Sequence, residues 1–219
     1  MVTHGYSEKF EFAVEGDTEQ YYLEWLAQQI NNDQNATHRC FIPTPKKGKD
    51  PEVVRRKFKP SFGSKRYYYL ADKERYHDRE SFRVFIKKLK PRPIYEKSIK
   101  FKLGYCNVSF ELWILLHKTN FSTPVQTPDE YLPHINKAFG TDFPDLRRYK
   151  EKEGFKKILK KLTMDDVKNA INRAKNIQKQ LATIAEKQTY CGYEYFDENP
   201  SLSIHEVIEE ILTTCEVPL

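Results

Sequence analysis

Three carboxylates at two places in the chain have the type and spacing for metal chemistry. Glu15 closes the run Phe10-Glu11-Phe12-Ala13-Val14 and is followed by Gly16. Asp72 and Glu74 follow Tyr67-Tyr68-Tyr69-Leu70-Ala71, two residues apart. Carboxylate oxygens suit hard divalent cations such as Mg2+ or Mn2+. Alternate residues of an extended chain point the same way, so Asp72 and Glu74 can share a face if the strand continues through them. Glu15 on a neighbouring strand would then close the group, as a third ligand or as a general acid or base. A glycine after it would let the backbone turn tightly. On spacing alone, the alternating charges of Asp72-Lys73-Glu74-Arg75 are better explained as a solvated turn.

The elements that must hold these residues follow from periodicity. Residues 10–14 read as a buried strand, with Asp17 or Thr18 capping a helix to about Asn31 that carries Tyr22, Leu26 and Ile30 at helical spacing. Residues 39–42 suggest a second strand, 43–50 a Pro/Lys/Gly loop, and Val53 to Lys57 a basic helix. A strand over 67–71 is followed by an amphipathic helix over 78–90, which Pro91 and Pro93 end, and by a strand over 94–101. Asn107 to His117 reads as an almost wholly buried helix capped by Asn107. Beyond it the pattern is helical, over 128–139, 154–161, 165–187 and 201–214. The alternation in the first half predicts an α/β fold with a mostly parallel sheet flanked by helices and a helical C-terminal part. The expected division is an α/β core over 1–125 and a helical extension packed on it over 126–219. In such sheets ligands bind where the strands end.

Composition narrows the function classes. Of 219 residues, 39% are hydrophobic and 14% aromatic, enough for a real core in spite of 31% charged residues. A formal charge of +6 permits a nucleic-acid partner without requiring one. Cys40, Cys106, Cys191 and Cys215 form no C-x-x-C pair, which argues against a zinc knuckle and for reduced thiols. No signal sequence and no run long enough for a membrane span is visible, so a cytoplasmic protein is expected. Walker A, G-x-S-x-G and G-x-G-x-x-G motifs are absent.

Basic residues gather ahead of the acidic pair, where Lys47, Arg55 and Arg56 could hold a polynucleotide backbone, and Lys100 could steady phosphate charge. Solvated lysines and a solvated helix face account for them as well. Glu19, in the first turn of its helix, is explained by the helix dipole. Glu111 is costly to bury among Val108, Phe110, Leu112 and Trp113 without a partner or metal; the alternatives are a wet stripe or a core Arg.

Taken together, three blocks resemble the RloB-like family, a restriction-linked group with a Toprim-like domain. They are Val14-Glu15-Gly16-Asp17-Thr18-Glu19-Gln20-Tyr21-Tyr22, the strand ending Asp72-Lys73-Glu74, and Asn107-Val108-Ser109-Phe110-Glu111-Leu112-Trp113-Ile114-Leu115-Leu116-His117. Glu74 stands where the family carries Asp, and Val108 where it carries Pro. The resemblance implies a Toprim-type nuclease core in which Glu15, Asp72 and Glu74 hold Mg2+ or Mn2+, and Glu15 and Glu111 take part in catalysis. It also implies DNA or RNA as substrate, tRNA among the candidates, an anti-phage defence role, and an ABC/AAA-type ATPase partner. Self-association into a homo-oligomer is compatible with it. The alternative is a non-catalytic subunit, binding nucleic acid or a partner on a degenerate Toprim core.

Overall fold

A computed structural model describes residues 6–58, 66–73, 79–90 and 99–219. In chain order the elements begin with β1 (Ser7–Val14), α1 (Asp17–Asn32), β2 (Arg39–Phe41), β3 (Lys46–Lys47) and α2 (Pro51–Arg55). There follow β4 (Arg66–Asp72), α3 (Arg79–Leu89), β5 (Phe101–Asn107) and α4 (Glu111–Leu116). A 3-10 turn over Pro128–Glu130 leads into α5 (Tyr131–Phe139), α6 (Leu146–Lys150), α7 (Lys152–Leu159) and α8 (Met164–Ile184). The hairpin β6 (Gln188–Tyr190) and β7 (Tyr193–Tyr195), then β8 (Ser201–Leu202) and α9 (Ile204–Thr214), complete the chain.

Among the described residues the main sheet runs β2-β1-β4-β5-β8, with β3 also paired to β1. Every pairing in it is parallel except β5 with β8. This is the α/β class expected, a mostly parallel sheet flanked by helices with further helices toward the C-terminus. The pleat of β1 sends Phe10, Phe12 and Val14 to one face and Ala13 to the other. In β4, Tyr68 and Leu70 join the first face, while Tyr67, Tyr69 and Ala71 join the second. Tyr68 stacks on Phe12 with ring centroids 4.9 Å apart. The tyrosine run is therefore sheet core on both sides.

Helices α1 and α4 cover the first face through Tyr22, Leu26, Ile30 and the fully buried Leu112 to Leu116. That same apolar cluster continues into α5, α7, α8 and α9, ending at Val217. Close approach of α9 to β5 requires Gly104. A Cβ there would stand 2.9 Å from Leu70 Cδ2 and 3.2 Å from the Ile204 Cα.

Several local expectations change. The strand expected over 94–101 lies at Phe101–Asn107 instead, and residues 94–98 lie outside the described residues. Asn107 therefore ends a strand rather than capping α4: its Nδ2 donates to the Asp197 and Glu198 carbonyls at 3.2 and 3.0 Å. The position before α4 is Phe110, with no side-chain cap. Likewise α1 is preceded by Gly16, so Asp17 and Thr18 belong to its first turn. Periodicity does not mark the helix α6 or the β6–β7 hairpin, and the helix expected over 165–187 ends at Ile184.

Candidate functional site

The C-terminal ends of β1 and β4 lie side by side, because Ala13 pairs with Tyr69 in the parallel register. Two residues further on, Glu15 comes level with the end of β4. Asp72 continues the Tyr68–Leu70 face, the one that α1 and α4 cover. A pocket of about 250 Å3 opens here, lined by Glu15, Gly16, Asp17, Thr18, Glu19, Lys49, Asp72 and Lys150. Of the strand-end carboxylates inferred from sequence, Glu15 and Asp72 thus share one concavity at the end of a parallel sheet.

Glu19 is a member that helix-dipole reasoning missed. It is buried, accepts a 2.9 Å hydrogen bond from Thr18 Oγ1 and faces the pocket. Its position also explains Gly16. The backbone there is extended (φ −130°), so no left-handed turn demands glycine. A Cβ at that position would instead stand 3.0 Å from Glu19 Oε2. The glycine clears space for the carboxylate rather than permitting a turn.

Glu111 lies behind the pocket, fully buried. Ser109 Oγ donates to its Oε2 at 2.6 Å, and Lys150 Nζ stands 3.1 Å from its Oε1. The partner is a lysine from α6, neither a wet stripe nor a core arginine. Lys150, whose side chain is 40% exposed, reaches from this buried carboxylate to the pocket wall. Burial opposes its charge, and Glu111, Asp72 and Glu19 outweigh that, leaving its pKa raised. Lys49 also lines the pocket, with its Nζ 3.8 Å from Glu15 Oε2.

Crowding of like charge defines the electrostatics. Asp72 reaches the pocket surface, yet desolvation first, then Glu19, Glu111 and Glu15, hold its pKa well above the usual carboxylate range against Lys150. Desolvation likewise raises Glu19, with Glu111 adding to it and Thr18 and Lys150 opposing. The Cys106 thiol beside them is pushed up by burial and by the same carboxylates, so it is an inert neutral group.

Lys73, the residue after Asp72, is buried rather than solvated. Its Nζ is 2.8 Å from Asp197 Oδ1 and lies over the rings of Phe82 and Tyr195. Together with Asn107, it ties the segment around Asp197 to the strand ends beside the pocket. This answers the solvated-turn alternative as far as Lys73. Glu74 lies outside the described residues.

The basic residues divide. Lys47 is exposed on β3 and pairs with Asp17 at the pocket rim, and Arg56 is exposed after α2. Arg55 does not serve a surface: it is buried, donates to the Lys88 and Leu89 carbonyls at 3.0 and 2.6 Å, and lies over Phe101. It satisfies the carbonyls that end α3, a structural duty. Lys100 sits at the wrong end of the sheet. It precedes Phe101, which pairs with Tyr67, whereas Asp72 pairs with Cys106. That separation along the strands is roughly 20 Å.

The donor set is all oxygen, which fits Mg2+ or Mn2+ and not a thiolate-loving metal. A divalent cation also fits the electrostatics, since buried carboxylates repelling one another are what it would relieve. Among the described residues no three of His, Cys, Asp and Glu already stand together closely enough to hold a metal ion. Glu15 and Asp72 are the residues that would hold it, with Glu19 within the same pocket.

No curated protein and no solved structure matches the chain. A family model, described as RloB-like protein, matches residues 12–211, which include all the pocket residues. The chain belongs to the RloB-like family.

Proposed function

We propose that this chain is a Toprim-type nuclease that uses Mg2+ or Mn2+ to cleave phosphodiester bonds of DNA or RNA. The observation that carries the reading is the gathering of Glu15, Glu19 and Asp72 around one pocket at the ends of β1 and β4, with Glu111 behind them. A protein gains no stability from such crowding, and a cation-dependent reaction gives it a purpose. Bound there, the metal supplies charge neutralisation at the phosphate and an activated water. Glu15 and Asp72 hold it, with Glu74 as the further ligand that the family resemblance implies. Lys150 offers an ammonium to the phosphate from the pocket wall. Glu111 acts through Lys150, because it is itself too deeply buried to meet a substrate. By the same resemblance the proposal extends to an anti-phage effector working with an ABC/AAA-type ATPase, with tRNA among its substrates.

The second reading, a non-catalytic subunit that binds nucleic acid or a partner, draws on Lys150, which already offsets part of the negative charge without a metal. The two separate in one assay. Labelled DNA and RNA are incubated with the full chain in Mn2+, in EDTA, and with Glu15→Ala. Nuclease action gives cleavage only with Mn2+ and wild type. Nucleic-acid binding that survives Glu15→Ala, with no turnover of any substrate in Mn2+, favours the non-catalytic subunit.

A further inference from the structure

A second concavity lies apart from the carboxylate pocket. It is a groove of about 450 Å3 between α1 and α7, lined by Tyr21, Trp25, Gln29, Lys152, Lys156 and Lys160 among others. The two concavities lie close together in the chain but share no lining residue. On α1, Glu19 lines the pocket and Tyr21 the groove; on the other side, Lys150 lines the pocket and Lys152 the groove. Tyr21 and Phe155 rings, with centroids 6.5 Å apart, join the two helices near the start of each. From Tyr21 to Gln29 the floor follows the helix for about 12 Å.

Two chemistries face each other across it. Lys152, Lys156 and Lys160 recur every four residues, so their ammonium groups form one stripe along α7. Glu24 is the acid among the lining residues, which leaves the groove basic. Lys156 pairs with Glu153 at 2.8 Å, whereas Lys152 and Lys160 make no ion pair among the described residues. Opposite them lies Trp25, half-buried and packed at its base against Tyr22 with centroids 5.6 Å apart. A cationic stripe beside an indole suits a polymer that carries phosphates on one side and flat rings on the other. A duplex hides the faces of its bases inside the stack; an unpaired strand offers them.

We infer that the α1–α7 groove binds single-stranded nucleic acid, with Trp25 stacking on a base and Lys152, Lys156 and Lys160 on the phosphates. The inference rests on the nuclease reading in that it names the form of substrate such an activity would take. Its test does not depend on cleavage.

Fluorescein-labelled dT and rU 20-mers, the same strands in duplex form, and polyglutamate are titrated into the full chain in EDTA. The chain has two tryptophans, and Trp113 is fully buried, so a change in tryptophan emission on binding reports Trp25. The expected result is tighter binding of single strands than of duplex, with quenched emission. Lys152→Glu/Lys160→Glu, both exposed positions, should weaken single-strand binding at least tenfold. It should also reduce the slope of log affinity against log salt by about 0.7 for each lysine removed. Trp25→Ala, checked for folding by its melting curve, should bind about five- to a hundred-fold more weakly, and Trp25→Phe should recover part of that. Unquenched emission, equal affinity for duplex or polyglutamate, or unchanged affinity of the double lysine variant would overturn the inference. Should Mn2+-dependent cleavage fail while quenched single-strand binding persists, the groove stands and the nuclease reading falls.

Discussion

Asp72 is held in a place that disfavours its charge, with little water and with Glu19, Glu111 and Glu15 close by. Removing that charge should therefore stabilise the protein when no divalent metal is present. Asp72→Asn is expected to gain about 1 kcal/mol, a rise of roughly 2–4 °C in the melting temperature measured in EDTA. A fall would mean that Asp72 makes a structural contribution outweighing the repulsion. Lys150 should behave oppositely. Lys150→Ala leaves Glu111 buried without its cation and should cost about 2 kcal/mol in chemical denaturation, discounted for the exposure of the lysine. Combined with Glu111→Gln, most of that cost should vanish. At this scale the sequence was a partial guide. Glu15 and Asp72 were legible because each ends a strand-like run. Glu19 was not, since an acid in a first helical turn already has a sufficient local reason. Lys150 and Glu111 meet only in the folded chain, as an ion pair between the end of α6 and the start of α4, and nothing near either residue in the sequence announces it.

Helix junctions set where those side chains point. The break between α6 and α7 follows Lys150 directly, and Gly154 makes it so tight that a Cβ would lie 2.1 Å from the Arg148 carbonyl oxygen and 3.0 Å from that of Tyr149. Backbone atoms cannot yield as a side-chain tip would. Gly154→Ala should cost about 3 kcal/mol by denaturant unfolding, and it should disturb Lys150 with it. Further along, Thr163 and Asp166 form a reciprocal cap at the start of α8, with Asp166 also 2.6 Å from Lys118. Thr163→Ala should cost about 1 kcal/mol, read from the same unfolding curves. Elements with strong periodicity were readable: α1, α3 and α8 follow their apolar spacing, and β4 its tyrosines. The missed hairpin had a signal of its own. Gln188-Thr189-Tyr190 and Tyr193-Glu194-Tyr195 flank Cys191-Gly192, both at positive φ, the pattern of a two-residue turn. Reading α8 onward to Lys187 masked it. The two-residue β8 is too short for any periodicity, and only the edge of β5 defines it.

At the scale of the whole molecule, His117 and His205 lie uncharged in the interior. His117 has its Nδ1 2.9 Å from the Trp113 carbonyl and its Nε2 3.0 Å from Tyr22 Oη, so a proton on Nδ1 and a Tyr22 donor satisfy both nitrogens of the neutral ring. Burial depresses its pKa to about 4, with Trp113 and Asp166 opposing, and burial does the same to His205 against Glu209. Unfolded, each titrates near 6.5, so the unfolded chain binds more protons between those values. The stability they permit is complete above about pH 6.5 and lost as pH falls toward 4. Urea unfolding at pH 5 should show roughly 2 kcal/mol less stability per histidine than at pH 7.5. His117→Gln should flatten the dependence. The parallel sheet was legible because strand and helix patterns alternate through the first half. Less visible was how one apolar cluster runs from Phe10 to Val217, since contacts so distant in sequence leave no local mark. That shared core is what presents the ends of β1 and β4 to α6 and closes the pocket. The central claim is that this pocket binds a divalent cation through Glu15 and Asp72. Calorimetric titration of Mn2+ into wild type, Glu15→Ala and Asp72→Ala tests it directly: the account predicts binding to wild type and loss in both variants, whereas a folded wild type that takes up no Mn2+, or variants that bind it as well, would contradict it.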